Sequence, residues 1–274
     1  MMMGCVSWAM TVSEMSVSRT RDFMRMTTDF QLEIVERGLK TRSEADRTTD
    51  QTSTLHRKLD AKLHQPCHDS PMKRYQLHRM TTAVPDWTQA EVLTDFSFPW
   101  EKREAPVTEF RGLWDEAHLY FRFDCIDHDL VLGQGSTVKE RVLDSDRVEI
   151  FLTPDLSLTP YYCFEMSPRG EVLAYRARHH RQFDWDWTCP DFQLSGSIDS
   201  PRYRVEGRLS LAMLREWGVL KLGTRDFFAG VYRGEFSHRP DGSIQPGWMP
   251  WVNPQTGRPD FHVPESFGVF EMLE

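Results

Sequence analysis

Four tryptophans of this chain, Trp185, Trp187, Trp248 and Trp251, fall between strand-like runs rather than inside them. Close by in sequence stand carboxylates: Asp127, Asp129, Asp144, Asp146 and Glu149, with Asp184 and Asp186 next to Trp185. Flat aromatic rings stack on the C–H faces of sugars. Carboxylates accept hydrogen bonds from hydroxyls or collect Ca²⁺ through oxygen. The same residues have plainer readings, in which the indoles plug the ends of a β-sandwich and the acids line a solvated loop. Glu149 differs from the other acids. It lies mid-strand between apolar neighbours, where a charge needs a partner, and Arg147, Arg122 and Arg176 are the candidates.

Other chemistries find little support. A glycosidase needs two carboxyls across the scissile bond, and the spacing of Asp184 and Asp186 is not diagnostic; no catalytic residue is assigned. The histidines lack metal-ligand spacing, and no phosphate-binding or nucleophile-elbow motif occurs. Cysteines 5, 67, 125, 163 and 189 are odd in number and unpaired by motif. Cys125 and Cys163 read as small buried hydrophobes, and a disulfide framework is not expected. A net charge of −8 without a basic stripe argues against a nucleic-acid surface. No run of about 18 apolar residues offers a membrane span. No signal peptide is read at the N-terminus, so the default localisation is cytoplasmic.

The elements that must position these residues start with Gly112–Asp127, which reads as a β-hairpin. Leu119, Phe121, Phe123 and Cys125 alternate with Tyr120, Arg122, Asp124 and Ile126, the period of a strand with one face on a core. Residues 127–142 read as a long loop. Val148, Ile150 and Leu152 share one face of the next strand, and Arg147, Glu149 and Phe151 the other. Residues 161–167 and 171–178 make a hairpin, as do 192–198 and 203–209. A short helix is expected over 211–217, with Ser210 as N-cap and Gly218 as its stop. Strands at 227–236 and 267–273 close the domain. About nine strands and one short helix give an all-β, antiparallel β-sandwich or jelly roll.

Residues 1–71 are of another kind. They hold three of the 33 aromatics, and ten basic residues balance ten acidic ones. Such a composition buries too little apolar surface to offset its ordering entropy. A mostly disordered or spurious leader over 1–71 is expected, with Met72 as a plausible true start, followed by one domain over 72–274.

Three stretches point to a family. Gly112-Leu-Trp-Asp-Glu-Ala-His-Leu-Tyr-Phe-Arg-Phe, with Asp127 and then Asp146-Arg-Val-Glu-Ile-Phe-Leu, is the first. Tyr161 to Gly170 is the second, and Trp251-Val-Asn-Pro with Asp260 to Gly268 the third. In order and spacing, residues 85–273 resemble carbohydrate-binding module family 9 and its DOMON-like relatives. The resemblance implies a lectin-like sandwich that binds mono- or oligosaccharides of the xylan and cellulose type without catalysis, in polysaccharide breakdown. It implies a sugar clamped between two tryptophans, with Ca²⁺ supporting the fold. Carried over, Trp251 matches one clamp tryptophan. Asp127 and Glu149 match polar contacts, with Asn253 nearby. Leu143 stands where the second clamp tryptophan is expected, so Trp185 or Trp187 would have to replace it. The alternative function is a glycan-modifying hydrolase acting on O-glycosyl compounds.

Overall fold

The structure is a computed structural model, and residues 72–274 are those it describes. The expected leader over 1–71 lies outside them. In chain order the elements are β1 (Arg74–Arg79), β2 (Thr108–Trp114), β3 (His118–Ile126), α1 (Val138–Leu143), β4 (Arg147–Thr153), β5 (Tyr161–Met166), β6 (Val172–Arg178) and β7 (Gln182–Asp184). They continue with β8 (Gln193–Asp199), β9 (Arg202–Ser210), α2 (Leu211–Glu216), β10 (Asp226–Gly234), β11 (Ser237–His238), β12 (Ile244–Gln245), β13 (Trp248–Pro250) and β14 (Gly268–Met272).

Two sheets face each other. The first has the order β7-β6-β5-β4-β10-β14-β1, with β13 also paired to β10. The second has the order β1-β2-β3-β9-β8. Strand β1 belongs to both. Its residues 74–77 pair with β14, and His78 and Arg79 pair with β2. Both pairings are parallel, and they add to an otherwise antiparallel sandwich, as expected, that a shared strand closes along one edge.

The alternation seen in the sequence builds the core. Phe121, Phe123 and Cys125 of β3 point inward, as do Val148, Ile150 and Leu152 of β4. Phe164 stacks on Phe192 at 4.4 Å. The short helix expected after β9 is α2, whose N-cap Ser210 accepts a hydrogen bond from the Ala212 N–H. The 127–142 loop was expected to lack structure of its own, but it ends in α1. The capping box of Thr137 and Glu140 starts that helix.

A second apolar cluster lies on the outer face of the first sheet. It includes Phe151, Tyr161, Cys163, Tyr175, Tyr232, Phe261 and Phe267. Every residue of β4 and β5 is therefore buried, whichever way it points. At the far edge, the turn between β5 and β6 touches the second sheet. A Cβ at Gly196 of β8 would lie 2.3 Å from the Gly170 nitrogen, so only glycine fits there.

Tyr75 holds the shared strand in place. Its hydroxyl accepts a hydrogen bond from the Gly112 N–H of β2 and donates one to the Glu91 carbonyl, both at 2.7 Å, and its ring is fully buried. Tyr75→Phe keeps the ring but strands the buried Gly112 N–H. A loss of about 1–3 kcal/mol is expected in chemical denaturation.

Candidate functional site

The charged residues of the first sheet's outer face converge on β4. Glu149 lies opposite Glu165 of β5 and opposite Tyr232 of β10. Arg147, two residues earlier on the same face, sits between the two carboxylates. Its Nε is 2.9 Å from Glu149 Oε1 and 2.8 Å from Glu165 Oε2. The Tyr175 hydroxyl of β6 donates to Glu165 Oε1 at 2.7 Å. Arg147 Nη1 donates to the Leu143 carbonyl at the end of α1. Arg147 is thus the partner that Glu149 requires; Arg122 pairs with Asp124 and Arg176 with Asp184.

Two indoles flank this group. The Arg147 guanidinium stands 5.0 Å from the ring of Trp248. The Lys139 ammonium, carried by α1, stands 3.5 Å from the ring of Trp185. Trp185 leans on Tyr175 and Phe183 and remains 39% exposed. An unbroken line of contacts therefore runs from Trp185 through Tyr175, Glu165 and Arg147 to Trp248. It carries a ring at each end and Glu165 in the middle, with Glu149 attached at Arg147.

The other sequence candidates fall elsewhere. Trp251 is not a stacking platform, because it is 2% exposed. Its backbone N–H continues the pairing onto β10 by donating to the Val231 carbonyl. Its ring packs on Phe270 and over Gly268, where a Cβ would meet it at 2.6 Å. Strand parity is the reason. Met249 and Trp251 point into the core, so Trp248 points out, toward Arg147. Trp187 also turns inward, against Tyr162, Phe164 and Trp217, and closes the sandwich edge. Asn253 is exposed, but its Oδ1 accepts from the Gln255 N–H of its own turn. Asp184 forms a surface pair with Arg176.

Asp127 does not join Glu149 either. It pairs with Arg233, which faces the core side of β10, whereas Glu149 faces the outer side. Around Arg233, the carboxylates of Asp127, Asp146 and Glu235 lie within 4.8 Å of one another. They are the one group among the described residues that could offer three carboxylate ligands to a Ca²⁺ ion. Two observations count against the fit. Both Asp146 oxygens already accept backbone N–H groups, from Val131 and Phe236. Asp127 Oδ2 and Glu235 Oε2 both face the Arg233 guanidinium. The residues present leave the ion no place beside Arg233.

Glu165, Arg147, Lys139 and Trp248 have no common signal in the sequence. Cross-strand register brings them together. Only the Trp248–Trp251 spacing carries a usable hint, since residues three apart on a strand face opposite ways.

Burial pushes the Glu149 carboxyl up to about 8, the neighbouring Glu165 adds to this, and Arg147 opposes it. The folded chain then holds a proton that the unfolded chain loses near 4.5. The resulting stability is full below pH 4.5 and is lost as the pH rises through 8. Burial pushes His262 the other way, to about 3, and that effect acts only below 6.5. Between pH 6.5 and 8 the denaturation midpoint should therefore fall with rising pH, and Glu149→Gln should reduce the slope. Trp251→Ala should cost about 3–5 kcal/mol of stability, as for any large core ring.

Residues 82–274 match the family described as carbohydrate family 9 binding domain-like. No curated protein matches the chain. Among solved structures, a protein of Bacteroides uniformis ATCC 8492, provisionally described as carbohydrate-binding, superposes with a TM-score of 0.60 at 16% identity. The match covers 74% of this chain and 100% of that one, and it is a likeness of fold. Two structures of a family 9 carbohydrate-binding module from Caldicellulosiruptor kristjanssonii also match, each at 17% identity over 73% of this chain. One is in complex with glucose (TM-score 0.48, 96% of that chain) and the other with cellotriose (TM-score 0.47, 93%).

Proposed function

The chain belongs to the carbohydrate family 9 binding domain-like family, and on that footing we propose that residues 72–274 bind a mono- or oligosaccharide, without catalysis, on the outer face of the first sheet. The observation that carries this reading is the exposed ring of Trp185 beside the buried Glu149–Arg147–Glu165 group. A sugar ring presents C–H faces and a rim of hydroxyls. Trp185 and Trp248 offer surfaces for the first. Glu149 and Glu165 offer carboxyl oxygens to the second, Glu149 as the protonated acid that burial makes it below about pH 8. Lys139 and Arg147 lie on the two ring faces, so the ligand competes with them or settles beside them. Gluco-configured oligosaccharides of the cellulose and xylan type are the ligand class, and polysaccharide breakdown is the setting.

Calorimetric titration of the purified chain with glucose, cellotriose and xylotriose tests this. Heat is expected with at least one of them. Trp185→Ala should weaken it by about tenfold, the scale of one aromatic contact. Glu149→Gln should weaken it in a chain that circular dichroism shows to be folded. No heat from a folded chain with any of the three sugars would overturn the proposal.

A further inference from the structure

Arg233 is an anomaly of its strand. Phe227, Ala229 and Val231 precede it on the core-facing side of β10, and all are buried. At the next inward position stands a guanidinium with no exposure at all. It reaches across the interior to the second sheet. Nη1 donates to Thr108 Oγ1 at 2.9 Å and to the Val107 carbonyl at 3.3 Å. Nη2 donates to the Ile126 carbonyl at 3.0 Å and to Asp127 Oδ2 at 3.3 Å, and it contacts Glu235 Oε2. The ring of Tyr203 lies 5.3 Å away.

This set has a chemical signature. Five oxygens, two from carboxylates, two from backbone carbonyls and one from a hydroxyl, surround one positive charge. Carboxylates and carbonyls in such number are the ligands that Ca²⁺ collects. Glu235 is 8% exposed, and its Oε2 lies against the Arg233 guanidinium. The third carboxylate, Asp146, is already fixed by two backbone N–H groups.

We propose that the Arg233 guanidinium is a covalently tethered replacement for a structural metal. It fills the cation position between the two sheets, so the domain needs no Ca²⁺ there, and removing this side chain converts Asp127 and Glu235, with the Val107 and Ile126 carbonyls, into a Ca²⁺ site. The oxygens lie too close together for an ion and the guanidinium to share them, and two like charges at that range repel. The argument is independent of the sugar site on the other face of the sheet.

Thermal unfolding of the full chain, followed by circular dichroism in chelator, millimolar Ca²⁺ or millimolar Mg²⁺, tests the proposal. The wild-type midpoint should be the same in all three. Arg233→Ala should unfold at lower temperature in chelator and recover by about 5 °C or more in Ca²⁺ but not in Mg²⁺. Adding Glu235→Gln to Arg233→Ala should abolish the recovery. If Arg233→Ala is unfolded in chelator, refolding from denaturant with Ca²⁺ should restore the native spectrum; failure in both solutions would overturn the proposal. So would an Arg233→Ala midpoint indifferent to Ca²⁺. A wild-type chain that gains stability from Ca²⁺, with the gain lost in Asp127→Asn, would also overturn it, because the ion would then sit beside the arginine.

Discussion

A sheet covered on both faces has no solvent on either side to share its charges, and that constraint shapes this domain. Strands β4 and β5 are buried along their whole length. Any ionic group they or β10 carry must be neutralised by another protein group, since an unpaired charge in such a place costs several kcal/mol. The chain answers twice with an arginine. On the outer face Arg147 joins Glu149 to Glu165. On the inner face Arg233 joins Asp127 to Glu235 and to carbonyls of the opposite sheet. Each arginine ties together segments distant in sequence.

The two arginines differ in what surrounds them. Arg233 is enclosed by backbone carbonyls and core rings, so its network is a clasp between layers. Arg147 stands against the rings of Trp248 and Phe236, and Lys139 on α1 repeats the same cation-on-ring arrangement at Trp185. Cations on aromatic faces hold rings in fixed orientations. The outer face is thus organised in advance, and at the proposed site that would lower the ordering cost of binding.

Much of the fold could be read from residues alone. The alternation of β3 and β4, the hairpins of residues 161–178 and 192–209, and the Ser210 cap are local patterns, and local patterns survive in one dimension. Strand β1 escaped because its apolar content is two residues, Tyr75 and Leu77, set between polar ones. Helix α1 escaped because it is short and follows a polar loop. The candidate site was legible only in part. Glu149 stood out because a charge in an apolar strand is an exception. Its partner Glu165 sits across a strand pair, and no sequence spacing reveals register. Trp251 misled because a tryptophan after a short Pro-containing run reads as a loop residue, whereas it prolongs β13 into the core.

Strand β1 carries one more consequence. It is the first strand of the described domain, yet it pairs with β14, the last, and among the described strands it is the one that pairs with both sheets. During synthesis on a ribosome, residues 74–79 emerge long before residues 268–272 and must wait for them. Pairings of such sequence separation form late, after loop-closure entropy has been overcome. Until translation has passed Met272, residues 74–77 of β1 and the facing edge of β10 have no partner strand. The nascent domain's exposure to aggregation and to chaperones is set by that interval rather than by the folding of any one sheet.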